Sequence, residues 1–293
     1  MDVCVIGGNR YFGRLLIGEL RAAGAAVTVV NRGSAPPPPG VTRLLADRDD
    51  EAALRAALGD RSFDAVVDQV CYTPRQAAAA ARVFAGRTRR YVMTSTVEVY
   101  AELDGAAVRE EAVDPSRWPV DLALPWPDRQ FRDQHYGEGK RQAEAVLARQ
   151  APFDTAFVRT AHVLGGADFT GRLAHYVERI AQGRPVLVHP EPRPASFVHA
   201  PEIAAFLARA AVAEFTGAVN AASPGTLDAR ELCAAIGREL GVRPRPVVGT
   251  GEALSPFSFA RGYPMDTGRA QALGFRFSAI GAWLPQAVRE ARG

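Results

Sequence analysis

The chain has 293 residues, 47% of them hydrophobic and 23% charged, with a formal net charge of +3. That length allows one large α/β domain or two lobes with a substantial core, and the composition is that of a folded soluble protein, not a disordered or fibrous one. The near balance of 35 basic and 32 acidic residues, without a run of like charges, argues against a nucleic-acid arm.

The N-terminus enters an apolar run directly, without the basic and long apolar regions of a signal peptide, and no stretch reaches the roughly 18 uncharged residues of a membrane span. A cytoplasmic protein without a membrane partner is expected. Cys4, Cys71 and Cys233 are far apart and odd in number, which predicts buried reduced thiols.

Residues 2–6 read as a buried parallel strand. The strand runs into Gly7-Gly8-Asn9-Arg10-Tyr11-Phe12-Gly13 and then a helical pattern that closes at Gly24. Strand, glycine turn and helix together suit a dinucleotide pyrophosphate: glycine lets the backbone approach, and the helix N-terminus offers free N–H groups. Arg10 stands where the Gly-x-x-Gly-x-x-Gly form has its middle glycine. Residues 26–30 form a second strand ending in Asn31-Arg32-Gly33, about 20 residues beyond the turn, where an NAD site places an acid on the ribose and an NADP site an arginine on the 2′-phosphate. With Arg32 there and no acid, NADP(H) is preferred over NAD(H), and Arg10 is a second candidate cation for the phosphates.

The prolines at 36–39 mark a stiff connector, and residues 41–45 a third strand leading to Asp47, placed to accept from the adenine amino group. A helix over 50–58, a strand over 63–68, an alanine-rich helix over 75–84 and a strand over 90–94 follow. This alternation predicts a doubly wound parallel sheet of Rossmann type, with ligands at the carboxyl ends of the strands.

The fifth strand runs into Ser95-Thr96-Val97-Glu98-Val99-Tyr100, and farther on stands Tyr136-Gly137-Glu138-Gly139-Lys140. Lys140 is the single lysine among the 35 cationic residues. A bias toward arginine removes lysines wherever a generic charge suffices, so a retained one marks chemistry that a guanidinium cannot do. Four apart on a helix, Tyr136 and Lys140 share a face, and the ammonium is expected to pull the phenol's pKa down toward working pH.

The glycine turn, the strand-five Ser/Thr followed by Val-Tyr, and the Tyr-x-x-x-Lys helix resemble, in that order, the extended short-chain dehydrogenase/reductases, the NAD-dependent epimerase/dehydratase family. The resemblance implies that Thr96, with Ser95 as the neighbouring alternative, holds the substrate oxygen. It also implies that Tyr136 donates or accepts the proton, and that Lys140 lowers its pKa while binding the nicotinamide ribose. It continues through Arg159 to Gly165, similar to the family's Arg-x-x-x-Val-x-Gly segment facing the nicotinamide, then Ser196 to Ile203, Ala218 to Ala221 and Asp266 to Gly274. Arg10 and Phe12 are similar to the atypical subgroup that includes chloroplast stem-loop RNA-binding proteins; here Thr96, Tyr136 and Lys140 are all present, which favours an enzyme.

A dinucleotide domain over 1–165, rejoined by 195–222, and a smaller substrate lobe from 166–194 and 223–293 are expected. His175, Tyr176, Arg184, Arg193, Phe257 and Arg261 are candidates to line that lobe, whereas His199 reads as a core histidine. The proline-rich stretch 101–134, with Trp118 and Trp126, is read as a flap over the substrate or a surface excursion. The function expected first is carbonyl or hydroxyl oxidoreduction on a small molecule. A nucleotide-sugar epimerase or dehydratase retaining NAD is the alternative, and a non-catalytic cofactor- or RNA-binding protein comes third. A homodimer is expected by analogy with the family.

Overall fold

The inner strands are apolar on both faces, as a sheet covered on both sides requires. A computed structural model of the chain describes residues 1–103, 105, 107–249 and 254–292. Its main sheet comprises β1 (Asp2–Ile6), β2 (Ala26–Asn31), β3 (Thr42–Leu45), β4 (Phe63–Asp68), β5 (Thr88–Thr96), β6 (Asp154–Thr160) and β10 (Gly217–Ala221). All are parallel, in the order β10-β6-β5-β4-β1-β2-β3. Two short parallel pairs lie outside it, β7 (His162–Leu164) with β9 (Phe197–His199) and β8 (Val186–Val188) with β11 (Pro246–Val248).

Side chains alternate between the two faces with the period of a strand. Val3, Val5, Val27 and Val29 enter one core, where α1 (Phe12–Ala22) packs on α7 (Ala200–Val212). Cys4, Ile6 and Val30 enter the other, under α2 (Glu51–Leu58), α3 (Pro74–Val83) and α5 (Tyr136–Gln150). The short α4 (Arg129–Gln134) leads into α5, while α6 (Arg172–Ala181), α8 (Ala229–Leu240) and α10 (Ile280–Ala291) pack on one another and α9 (Gly268–Ala272) lies against β10. Helix starts are set locally. In α3, Pro74 occupies the first turn, Thr73 accepts from the Gln76 N–H, and the Gln76 side chain reaches back to the Thr73 N–H.

The chain winds outward in opposite directions from β1 and β4, and a crevice forms at the carboxyl ends of such strands. Among the described residues no helix is long and apolar enough to cross a membrane, and the three cysteines are buried and unpaired.

Arg159 locks the right half of this frame. It lies near the carboxyl end of β6 with no solvent exposure, paired with the equally buried Glu144 of α5 at 2.6 Å. Its Nη1 donates to the Tyr100 hydroxyl (2.8 Å) and the Glu110 carbonyl (2.9 Å), Nη2 also donates to the Val113 carbonyl (2.9 Å), and Ser95 donates its hydroxyl to Glu144 (2.6 Å). One guanidinium thus ties a sheet strand, the helix beside it and the start of the 101–134 stretch. Farther along that stretch, two tryptophans pack on α5. Trp118 stacks against the Arg141 guanidinium at 4.6 Å and donates to Glu138 (3.2 Å), whereas Trp126, 2% exposed, donates to the Asp121 carbonyl (2.8 Å) and packs beside Gly139. Both clasp α5. Removing one partner of a buried, fully bonded ion pair leaves an uncompensated charge, so Arg159→Met is expected to lower unfolding free energy by about 3–5 kcal/mol, read by urea denaturation. A loss below about 1 kcal/mol would show that the network is not anchoring this frame.

Candidate active site

The site begins with how closely α5 is allowed to approach the segments that leave β4 and β5. A Cβ on Gly137 would stand 2.4 Å from the Glu98 carbonyl oxygen, and one on Gly139 would stand 2.4 Å from the Tyr72 carbonyl oxygen. Glycine inside a helix costs about 1 kcal/mol relative to alanine, so two in one turn mark a place where backbone contact outweighs helix propensity. The approach brings Tyr136, at the first turn of α5, to the end of β5, where its hydroxyl lies near that of Thr96. Thr96 also accepts from the Glu98 N–H at 3.2 Å. Its neighbour Ser95 points the other way, into the Glu144–Arg159 pair. Of the two hydroxyls left open by the sequence, Thr96 is the one that meets the tyrosine.

One turn along, Lys140 is almost fully buried and donates to the Thr94 carbonyl at 2.7 Å. Its ammonium lies 4.7 Å from the ring centre of Tyr72 and 5.8 Å from that of Tyr136. Burial pulls the lysine pKa down to about 8, against a smaller upward influence from Cys71 and Asp68. Burial also pushes the Tyr136 phenol well up, with nearby Tyr72 adding to the rise and Thr96 opposing it. The expectation that Lys140 holds this phenol below its usual value is therefore corrected: desolvation dominates, and the ammonium is engaged with a backbone carbonyl.

The glycine turn fits a dinucleotide. Gly7 and Gly8 have φ of +87° and +80°, and a Cβ on Gly13 would sit 2.6 Å from the Gly8 Cα. Arg10 replaces a glycine without backbone strain because the left-handed conformation falls on Tyr11 instead, at φ +53°. The Arg10 guanidinium is exposed and lies 5.6 Å from the ring centre of Phe169, which Tyr11, beside Phe12, also meets edge-on. Asn9 donates to the Ala35 carbonyl at 2.9 Å, and its own oxygen is buried without a partner among the described residues. At the end of β2, Asn31 accepts from the Gly33 N–H (2.9 Å) and from Arg43, while Arg32 is exposed. Asp47 is exposed too, and accepts from the Asp49 N–H at 3.0 Å. Gln69, which follows β4 and was not foreseen, places its amide oxygen against Gly13.

On the substrate side the expected lining residues do not converge. Arg184 and Arg193 are exposed, Tyr176 is buried against the Pro256 carbonyl, and His175 faces Ser255 at 3.0 Å. His199 stacks on Trp283 at 5.0 Å. Phe257 and Arg261 do belong to a coherent wall, with residues the sequence did not single out. His162 lies against Phe259 (4.9 Å), Tyr263 (5.4 Å), Phe257 (5.6 Å) and Phe197 (5.8 Å), and burial drives its pKa down to about 3, so the imidazole is neutral. Arg172, at the start of α6, stacks on Phe257 at 5.0 Å and donates to Thr170. Glu98 lies close to Tyr263, and burial raises its carboxyl pKa. Because β5 and β6 pair Thr96 with Thr160, this wall begins two residues beyond the neighbour of Thr96.

The chain is similar to known proteins in the same sense. A model of the NAD dependent epimerase/dehydratase family matches residues 3–222. Among solved structures, UDP-glucose 4-epimerase of Thermus thermophilus in complex with NAD is 19% identical with a TM-score of 0.73, covering 100% of this chain and 99% of that one. UDP-glucose 4-epimerase of Thermotoga maritima with UDP-glucose is 18% identical with a TM-score of 0.77, at 100% and 99% coverage. WbmH of Bordetella bronchiseptica with NAD+ is 19% identical with a TM-score of 0.74, at 99% and 98% coverage. At these identities the likeness establishes the fold. No curated protein matches the chain.

Since Lys140 is the one lysine, lysine-selective 13C labelling reads it alone. In protein stripped of cofactor its side-chain resonance is expected to titrate near pH 8, and Tyr136 to stay phenolic over the same range. Between about pH 8 and 10.5 the unfolded chain then holds more protons at this position than the folded one, so this group's contribution to stability rises with pH, and Lys140→Met removes that rise. A lysine midpoint at 10.5, the ordinary value, would contradict the burial described above.

Proposed function

Because the chain belongs to the NAD dependent epimerase/dehydratase family, we propose that it is an NADP(H)-preferring oxidoreductase acting on a carbonyl or hydroxyl carbon of a small molecule. The observation that carries this reading is the convergence of Thr96, Tyr136 and Lys140 at the carboxyl ends of β5 and α5's first turns, beside a turn shaped for a dinucleotide. Gly7, Asn9, Arg10, Gly13, Asn31 and Arg32 would hold that cofactor, which supplies or accepts the hydride when bound. The absence of an acid at the end of β2, with Arg32 in its place, supports the preference for the phosphorylated form.

The chain's own residues handle the proton and the alignment. Thr96 and Tyr136 present two hydroxyls to one substrate oxygen, so the oxygen is held in line while the phenol donates or accepts its proton. Lys140 fixes a positive charge one helical turn below the phenol. Thr96 and Arg172 both lower the cost of ionising Tyr136, against the burial that raises it. His162, neutral at any working pH, adds a polar edge to an otherwise aromatic wall.

A second reading is internal return of the hydride on retained NAD, as in an epimerase or dehydratase. It is favoured by the solved structures most like this one, whose names record UDP-glucose 4-epimerases with NAD or UDP-glucose. A third, cofactor binding without turnover, leaves Tyr136 unexplained.

Cofactor content and a single substitution separate the three. Purified protein is expected to release no nicotinamide on denaturation, and to reduce aldehydes or ketones faster with NADPH than with NADH. Tyr136→Phe is expected to lower turnover by about 10²-fold or more while leaving cofactor binding intact. Stoichiometric NAD that does not exchange would move the epimerase or dehydratase reading to the front, and undiminished function in Tyr136→Phe would favour the binding protein.

A further inference from the structure

Resting on the NADP(H) preference just proposed, we propose that Arg43 on β3 is a second, preorganised ligand for the adenosine 2′-phosphate, and that Asn31 and Arg43 together make the end of β2 a donor-only site.

The geometry starts from the Asn31 side chain. Its oxygen is fully used: it accepts from the Gly33 N–H at 2.9 Å and from Nε and Nη2 of Arg43, each at 3.3 Å. Its amide nitrogen is buried and has no partner among the described residues. An acid in this position would offer a ribose hydroxyl an acceptor. Asn31 has no acceptor left and offers N–H instead, which suits an oxygen that carries negative charge.

Arg43 is held for the same purpose from the neighbouring strand. β2 and β3 are in register with Val29 opposite Arg43, so the side chain reaches along the strands to the turn at residues 31–35. There Nη2 also donates to the Ala35 carbonyl at 3.2 Å, and Asn9 of the glycine turn donates to the same oxygen at 2.9 Å. Gly33, at φ +88°, makes room: a Cβ would stand 3.1 Å from the guanidinium. Nε and Nη2 are therefore fixed by the protein, no carboxylate among the described residues pairs with Arg43, and Nη1 is left to face a ligand. Arg32, by contrast, is exposed at the adjacent position with its guanidinium free to swing. A phosphate gains most from a cation whose freedom is already lost before binding, and a planar fork on one side with a mobile one on the other can enclose it.

The test measures dissociation constants of NADPH, NADH, 2′,5′-ADP and 5′-ADP for the wild type, R32A, R43A and N31D. R43A is expected to weaken NADPH and 2′,5′-ADP by about tenfold or more, and to leave NADH and 5′-ADP within about twofold. N31D keeps the acceptor that Gly33 and Arg43 need but adds negative charge, and is expected to reverse the preference toward NADH. Should the wild type itself prefer NADH, the cofactor reading fails and this inference falls with it. If the wild type prefers NADPH but R43A either leaves all four ligands unchanged or weakens them all alike, the cofactor reading stands and Arg43 is only a brace for the turn. A melting temperature for each variant accompanies the binding data, and N31D decides the matter if R43A does not fold.

Discussion

Everything chemical in this protein depends on how deeply α5 is seated against β5. Three interactions set that depth: the missing side chains of Gly137 and Gly139, the buried Glu144–Arg159 pair, and the Lys140 bond to the Thr94 carbonyl. Each is costly alone, since a glycine weakens the helix and a charge without water loses its hydration. Taken together they are mutually supporting. The glycines let the backbones touch, the touching backbones bring Glu144 under the sheet, and Arg159 meets it with donors left over for Glu110 and Val113. An alanine at 137 or 139 would lift the helix, and the hydroxyl pair of Thr96 and Tyr136 would separate first because it sits at the helix end.

The same seating explains why the proton-handling groups are poised as they are. Desolvation moves Lys140 down and Tyr136 up, so the two are displaced from their ordinary values in opposite directions by one cause. An anionic phenolate would be stabilised by Thr96 and by Arg172, while neutral tyrosine is favoured by burial, by Tyr72 and by Glu98. A phenol balanced in this way responds to what is placed beside it.

Much of this was legible in the chain. The strand and helix alternation, the glycine turn and the Tyr136–Lys140 spacing are local patterns with fixed periods, and period is what a sequence displays most directly. The parts that were not legible are those set by what lies across the fold. Arg43 sits in a four-residue strand where an arginine reads as an ordinary exposed position; only the register of β2 and β3 turns it toward Asn31. Trp118 and Trp126 look like a lid because tryptophans among prolines do, yet the flat faces were taken up by Arg141 and by the gap at Gly139. His162, Arg172, Glu98 and Tyr263 come from four distant segments with no shared spacing. Tyr11 and Phe257 are the two non-glycine residues in the left-handed region among those described, and neither residue type announces such a conformation.

The chain's reliance on arginine makes the retained lysine intelligible in physical terms. The Lys140 position offers one carbonyl acceptor, one aromatic face and almost no water. A guanidinium there would bring five donors in a plane, leave most of them unpaired, and stay charged at any accessible pH. An ammonium needs fewer partners, is compact enough to lie beside the Tyr72 and Tyr136 rings, and can give up its proton near pH 8. Arg159 shows the converse in the same core. Its place supplies a carboxylate, a hydroxyl and two carbonyls arranged around a fork, and a lysine could satisfy only part of that set. The two cations thus fill different places, Arg159 on β6 bound on every side of its fork and Lys140 on α5 where a single carbonyl accepts.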